Sequence, residues 1–444
     1  MNTNKKSDDP VRYDQLLAIL RKEVAPALGC TAPVAVSFAV SSARDAVGGQ
    51  PVSVKVLVDK STFKNSISVG IPGTSKQGLV MAAALGAISG DAKAGLEVLK
   101  NIKPGDEEIA EQFGGDNTIV NIKWDYKPVG LYIEAFVETE NGVGHAVVAK
   151  THTNLILLEA NGKVIHKAST DDRGKPIDYS KDPIRSYTVE DFVSFSRLVD
   201  LENIAFLNDA VKMNRNLALA GLDEQVGGGF GAAIQSFSGD TVYIKAKALT
   251  AAASDARMAG KDLAAISCAS SGNVGITASL PLLVLSEELK RDKEALLRAV
   301  CLSFLLTIYM KSHIGRLSAM CACAIAAGLG VAAGSVYLLG GGYRRIEMAI
   351  HNVVGSIGGV ICDGAKLGCA LKLSTAVGVA IESAYLAMKD VAIPQRDGIV
   401  LDTVDDTIAA VGTIAVDGMT DTDRTVCQLK FTSPHTFCSW SIMS

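Results

Sequence analysis

The chain has 444 residues, enough for two or three domains and a sizeable core. Its 43 basic and 47 acidic residues give a net charge of -4 without a basic stripe, and aromatic residues make up only 5%, which argues against nucleic acid as a partner. The polar N-terminal stretch lacks the apolar segment of a secretory signal. The nine cysteines are therefore expected to be reduced thiols in the cytoplasm rather than disulfides.

Two uncharged runs, residues 263–286 and 317–343, raise the question of a membrane span, since the mean hydropathy is +0.26. Both runs are rich in Gly, Ala, Ser and Cys and contain no Phe. Pro281 and a polar stretch at 270–273 interrupt the first run. Such composition favours tightly packed buried helices over a membrane protein, which stays open as an alternative.

The first elements in the chain are predicted to be helices, over residues 10–25 and 34–46. Cys30 stands just before the second helix, and Thr31-Ala32-Pro33 supplies an N-cap and a proline in the first turn. The helix dipole favours a thiolate at such a position, so a lowered pKa is expected for Cys30. A small buried residue at a kink is the alternative interpretation of Cys30.

Alternating apolar residues between about 50 and 170 predict an α+β unit with a largely antiparallel sheet. The predicted strands cover residues 52–58, 66–71, 118–124, 131–137, 145–158 and 163–167, and the predicted helices cover 77–89 and 92–113. Lys64 and Asn65 are expected near a strand end. His152-Thr153-Asn154 is a polar interruption of an apolar strand, which is more often a bulge or a turn than a site.

Residues 168–188 form the clearest boundary in the chain, because Asp, Gly and Pro are concentrated there. Helical patterns follow at residues 189–219, 242–260, 284–311, 317–338, 345–358, 372–389 and 402–418. The predicted fold class is α+β. Its expected domains are N-terminal helices at 1–48 that pack on the helical domain, an α+β domain at 49–185, and a large helical domain at 186–444.

Two polar islands interrupt the helical half. Residues 254–258 include Arg257, and residues 270–277 include Asn273 between Gly272 and Gly275. Glycines on either side of Asn273 would let the backbone approach a ligand closely. Each island alone is weak support for a site, since an Asp–Arg pair on a helix usually marks a solvated face.

Four of the nine cysteines fall in two tight groups, Cys321 with Cys323 and Cys362 with Cys369. Three thiolates on a four-iron cluster leave one iron open as a Lewis acid, whereas four thiolates describe a closed zinc site. The spacing slightly favours a cluster over zinc. Buried inert thiols remain an alternative, because helices rich in Ala and Gly often carry Cys as a small apolar residue.

Ordered motifs between residue 22 and about 425 make the sequence resemble the L-cysteine desulfidase family, relatives of the bacterial iron–sulfur L-serine dehydratases. They are ALGCTAP at 27–33, PGT at 72–74, AALGAISGDAKAGLEVLK at 83–100, HTN at 152–154, SDARM at 254–258, SGNVGIT at 271–277, RLSAMC at 316–321, ICDGAKLGCALKLST at 361–375 and TDR at 422–424.

The resemblance implies a lyase that converts L-cysteine to pyruvate, ammonia and hydrogen sulfide. It implies a 4Fe-4S cluster held by Cys321, Cys362 and Cys369, with Cys30 as the general base and Cys323 as a bystander. The residues expected to line the cleft and to hold the carboxylate or amine of a small amino-acid substrate are Lys64, Asn65, His152, Asn154, Arg257 and Asn273.

The chain departs from the family pattern at Ala32, where the motif usually has Glu, at Val274, where it usually has Gln, and in its C-terminal tail. Three alternatives to the desulfidase therefore stay open: L-serine dehydration, a catalytically weak relative with a binding or regulatory role, and the small membrane protein considered above. The sequence is also compatible with a homodimer.

Overall fold

A computed structural model describes residues 10–116, 119–124, 131–168, 178–223, 226–237, 239 and 241–432. The fold of these residues is α+β, as predicted. The α-helices are α1 (Pro10–Glu23), α2 (Thr31–Val47), α3 (Lys60–Ser66), α4 (Leu79–Ile88), α5 (Asp106–Gly114), α6 (Val189–Leu198), α7 (Leu207–Gly221), α8 (Phe230–Phe237), α9 (Val242–Met258), α10 (Gly272–Glu288), α11 (Lys293–Ile314), α12 (Ile325–Leu338), α13 (Tyr343–Ile357), α14 (Cys369–Met388), α15 (Val404–Thr413) and α16 (Thr422–Thr432). The strands are β1 (Val24–Leu28), β2 (Pro51–Val58), β3 (Val120–Lys123), β4 (Tyr132–Thr139), β5 (Gly142–Ala149), β6 (Leu155–Ala160), β7 (Lys163–Lys167) and β8 (Ala264–Cys268).

The larger sheet has the strand order β3-β2-β4-β5-β6-β7, in which only the β2–β3 pair is parallel. Alternate residues of β2, Val54, Val56 and Val58, are buried and face the helices α2 and α4. Helix α2 packs on this sheet, whereas α1 and β1 pack with the helical half. The domain division at residues 48 and 185 stays a prediction.

The helical half is built around α10, α11 and α12, whose side chains are almost all buried. Small residues allow these helices to approach one another closely. A Cβ atom at Gly330 of α12 would collide with the carbonyl oxygen of Ser303 on α11. The Gly- and Ala-rich runs noted in the sequence therefore serve helix packing.

Strands β1 and β8 form a small antiparallel sheet that pairs Val24 with Cys268 and Leu28 with Ala264. The sequence predicted a helix as far as residue 25, whereas the structure ends α1 at Glu23 and begins β1 at Val24. Pro26 disfavours helical geometry at the residue before it and lacks a backbone donor, so the chain extends after Glu23 and pairs with β8. Cys30 follows β1 in the chain, and α10 follows β8. The pairing of the two strands therefore brings Cys30 close to the start of α10.

Two predicted strands also differ from the structure. The strand predicted at 66–71 is replaced by α3 and a turn, because Asp59 caps α3 by accepting hydrogen bonds from the backbone N–H groups of Ser61 and Thr62. The strand predicted at 145–158 is split into β5 and β6 by a turn at residues 150–154. Lys150, with a φ of 69°, begins that turn. The central part of the predicted boundary, at 169–177, lies outside the described residues.

Two helices of the described chain, α11 and α14, are long and apolar enough to cross a bilayer. In their most apolar windows, 83% of the residues of α11 and 56% of those of α14 are buried against the rest of the protein. Core helices of globular proteins pass the same test of length and composition, so the two helices are weak support for a membrane span.

His145 on β5 is expected to make the protein less stable as the pH rises. Its Nδ1 and Nε2 atoms lie 2.7 Å and 2.9 Å from carboxylate oxygens of Glu159 and Glu134. Burial lowers the pKa of His145, but these hydrogen bonds outweigh burial and the pKa is raised. The stabilisation is therefore fully present below the unfolded pKa of about 6.5 and is lost as the pH rises through the folded pKa.

We expect wild type to lose about 2 °C more in its thermal midpoint than His145→Gln between pH 6 and pH 9. His166→Gln is the matched control, because this exposed ring on β7 donates to the Leu155 carbonyl and not to a carboxylate. The control should follow wild type. Equal shifts in wild type and His145→Gln would contradict the assignment.

Candidate active site

A cavity of about 100 Å³ lies where the α+β unit meets the helical half. The sequence-predicted site residues on its walls are Cys30, Asn65, His152, Arg257, Asn273, Cys321, Cys362 and Cys369. Cys323 also lines the cavity, so five of the nine cysteines converge there. Residues distant in sequence thus form one thiol-rich pocket.

Cys30 is the N-cap residue of α2 and has extended backbone geometry. Its side chain does not cap the helix through a hydrogen bond. Only 6% of the residue is exposed, and its Sγ donates to the Asn65 carbonyl oxygen at 3.7 Å. Burial raises the pKa of Cys30, although Arg257 and the Ala32 N–H favour the thiolate. The expectation of a lowered pKa was therefore wrong, since desolvation outweighs the helix terminus.

Arg257 connects three segments of the cavity wall. Its Nη1 donates to Asn273 Oδ1 at 3.1 Å and its Nη2 donates to the Gly29 carbonyl at 2.5 Å. Among the described residues, no partner accepts from its Nε, although Arg257 is only 3% exposed. A Cβ atom at Gly272 would collide with the guanidinium, so the cation lies directly against the start of α10.

The N-terminus of α10 opens onto the cavity through Ser270, Ser271 and Asn273. Ala269 and Ser270 have φ angles of 47° and 68°, a strained conformation for residues other than glycine. Ser271 caps the helix without a side-chain hydrogen bond. The first N–H groups of a helix have no partner within that helix and carry positive partial charge. Together with Arg257 they create an environment suited to a carboxylate.

A short antiparallel bridge brings Cys321 and Cys362 together. Met320 pairs with Ile361, the Cys321 N–H donates to Val360 at 2.8 Å, and the Cys362 N–H donates to Ala319 at 2.7 Å. Residues next to the bridged pair project to one face, so both thiols lie on the same side. Cys369 begins α14 and lines the same cavity.

The environments of these thiols differ. Cys323 donates a hydrogen bond to Cys321, which lowers the pKa of Cys321 and raises that of Cys323. Burial raises the pKa of Cys369 to about 11. Lys372 and Lys366 both bind Asp363. This basic surrounding favours anionic ligands such as thiolates.

The donor set is chemically suited to an iron–sulfur cluster, because such clusters are held by cysteine thiolates. Within the described ranges, no group of three His, Cys, Asp or Glu side chains is arranged to hold a single metal ion. A four-iron cluster distributes its cysteine ligands over separate irons and needs a wider set of thiols. Cys321, Cys362 and Cys369 all line the cavity and would supply three such thiols.

The sequence analysis did not identify Lys311 and Arg316 as site residues. His152, Lys311 and Arg316 line the cavity, and Glu23 pairs with both terminal nitrogens of Arg316. Lys311 donates to the Ala269 carbonyl at 2.9 Å, and burial lowers its pKa to about 8. Burial, with Lys311 and Arg316 nearby, lowers the pKa of His152 to about 4. The one signal in the sequence that could have identified Lys311 is its charge within the apolar run of α11.

Lys64 and Asn154 are the two predicted binding residues that do not line the cavity. The Asn154 side chain donates to the Ala149 carbonyl at 2.9 Å and closes the turn between β5 and β6. Lys64 is fully buried and its Nζ donates to Asp423 at 2.5 Å. Both side chains therefore form hydrogen bonds within the protein and do not line the cavity.

Comparisons with known proteins identify the family. The family model described as the serine dehydratase alpha chain matches residues 93–428. A UPF0597 protein of Clostridium tetani is 40% identical over 419 residues, which cover 94% of this chain and 98% of the relative. UPF0597 proteins of Caldanaerobacter subterraneus subsp. tengcongensis and Clostridioides difficile are 41% and 37% identical, over 94% and 92% of this chain and 99% and 97% of the relatives. The chain therefore belongs to the serine dehydratase alpha-chain family.

Proposed function

We propose that the protein is a lyase that removes the β-substituent of an L-amino acid, with L-cysteine as the substrate and pyruvate, ammonia and hydrogen sulfide as the products. The observation that carries this proposal is the convergence of five cysteines with Arg257 and the start of α10 on one cavity. Family membership supports lyase chemistry. The resemblance to L-cysteine desulfidases supports the choice of substrate.

Arg257 and the first N–H groups of α10 would bind the substrate carboxylate. The guanidinium is already fixed by Asn273 and Gly29, so little side-chain entropy is lost on binding. Its Nε has no acceptor among the described residues and lies against Gly272. Anchoring the carboxylate at this end of the cavity would turn the α-carbon toward Cys30, which lines the same wall.

Cys30 would take the α-proton after losing its own thiol proton. Burial opposes the thiolate, whereas Arg257 and the Ala32 N–H favour it. A 4Fe-4S cluster held by Cys321, Cys362 and Cys369 would supply an open iron as a Lewis acid toward the departing sulfide. Loss of the α-proton and of sulfide leaves aminoacrylate, which tautomerises to an imine. Water then hydrolyses the imine to pyruvate and ammonia, which balances the reaction.

L-serine dehydration is the second candidate, because the matching family is named for it. Anaerobically reconstituted protein should be assayed for pyruvate with each amino acid, and for sulfide with L-cysteine. We expect a higher kcat/KM for L-cysteine, with pyruvate and sulfide released in equal amounts. A higher kcat/KM for L-serine would assign the chain as a dehydratase, and no turnover of either would favour a binding or regulatory role.

Ala32→Glu is expected to raise turnover of L-cysteine by about tenfold or more. Ala32 lies in the first turn of α2 and lines the cavity beside Cys30. A carboxylate there is favoured by the helix dipole and could hold the substrate ammonium or accept a proton. Ala32→Gln, which has the same length without the charge, is the matched control. Equal rates for wild type and Ala32→Glu would show that this departure from the motif does not limit turnover.

A further inference from the structure

Lys64 does not line the cavity, so we consider a role for it other than substrate binding. The residue is 0% exposed, and its Nζ donates to Asp423 Oδ1 at 2.5 Å and to the Ser318 carbonyl at 3.1 Å. Burying an ammonium costs several kcal/mol unless other groups compensate it. The side chain is therefore held at this position by specific partners.

Three segments meet at Lys64. Gly364, in the loop between Cys362 and Cys369, has a φ of 94°, and a Cβ atom there would collide with the Lys64 carbonyl. Lys430 of α16 donates to the same carbonyl at 3.3 Å. The loop that carries two proposed cluster ligands thus packs directly on the backbone of α3.

Two groups near Lys64 favour its charged form. Burial lowers the pKa of Lys64, but Cys362 and the hydrogen-bonded Asp423 carboxylate outweigh burial and the pKa is raised. Ser61 donates to the second oxygen of Asp423 at 2.8 Å, which fixes the carboxylate. Asp423 belongs to the TDR motif of α16, a segment that has no part in the proposed reaction.

We propose that Lys64 is a positioning residue that holds a positive charge against the Cys362 side of the cluster site, and that Asp423 partly offsets that charge. This inference rests on the proposed cluster. Net charge and hydrogen bonds around an iron–sulfur cluster set its reduction potential. A nearby cation favours the reduced, more anionic state and strengthens the retention of an anionic cluster, whereas a nearby carboxylate has the opposite effect.

The test compares two charge changes in the reconstituted full-length protein. Lys64→Met should shift the midpoint potential of the cluster to more negative values and speed iron loss to a chelator by about tenfold or more. Asp423→Asn should shift the midpoint potential to more positive values, because it removes a negative charge of similar placement. If Lys64 and Asp423 had only structural roles, the two variants would shift the midpoint potential in the same direction or leave it unchanged.

Controls separate charge from folding. Lys76→Met breaks a surface pair with Glu111 at 2.7 Å and should leave the midpoint potential unchanged. Lys64→Arg retains the charge and should stay close to the wild-type potential. If Lys64→Met fails to fold, Asp423→Asn still tests the inference. An unchanged or more negative potential in Asp423→Asn would overturn the inference. Wild type that binds no iron would overturn the proposed function and this inference with it.

Discussion

Cys30→Ala is expected to lose L-cysteine turnover by a factor of about 10² to 10⁴, the usual contribution of a positioned general base. Cys30 is the cavity cysteine outside the two C-terminal groups and lies at the start of α2, beside Arg257. Because the variant removes no proposed ligand, its cluster absorbance should match that of wild type. Pyruvate and sulfide release under anaerobic conditions measures the loss.

Cys301→Ala is the matched control for this experiment. Cys301 is a fully buried thiol on α11 that does not line the cavity. Its removal should leave kcat/KM close to wild type, at a modest cost in stability. If Cys30→Ala turned over L-cysteine as fast as wild type, Cys30 would not be the base and the proposed proton transfer would be wrong.

Cys362→Ser is expected to abolish the cluster, whereas Cys323→Ser should retain it. Both residues line the cavity, but Cys362 shares a backbone bridge with the segment that carries Cys321. A serine hydroxyl is a poor substitute for the thiolate that an iron–sulfur cluster requires. Iron and sulfide content after anaerobic reconstitution measures the difference.

The Cys323→Ser variant tests whether Cys323 is a cluster ligand. Cys323 was expected to be a bystander, yet it donates a hydrogen bond to Cys321. Loss of that bond should change the surroundings of the cluster without removing an iron ligand. Equal iron loss in both variants would add Cys323 to the ligand set.

Much of the fold could be predicted from local patterns. Alternating apolar residues predicted β2, and apolar residues at helical spacing predicted α1, because these periodicities are properties of short segments. The β1–β8 pair could not be predicted in this way. It joins Val24 to Cys268, residues far apart in the chain, and neither segment alternates clearly.

The site residues likewise divide into those that the local sequence reveals and those that depend on distant parts of the chain. Cys30 and Cys362 stand in recognisable motifs, so they could be identified as candidates from the sequence. The direction of the Lys64 side chain depends on Asp423, a partner more than 350 residues away, and no local pattern reveals it. The raised pKa of Cys30 likewise depends on burial by residues that only tertiary structure brings together.

The central claim is that this cavity holds a four-iron cluster on which L-cysteine breakdown depends. The most direct measurement is iron and acid-labile sulfide analysis of anaerobically reconstituted wild type, paired with an assay of pyruvate release on the same samples. The account predicts about four irons and four sulfides per chain, with pyruvate release rising in proportion to cluster content. One bound zinc per chain, or full L-cysteine turnover by protein without iron, would contradict it.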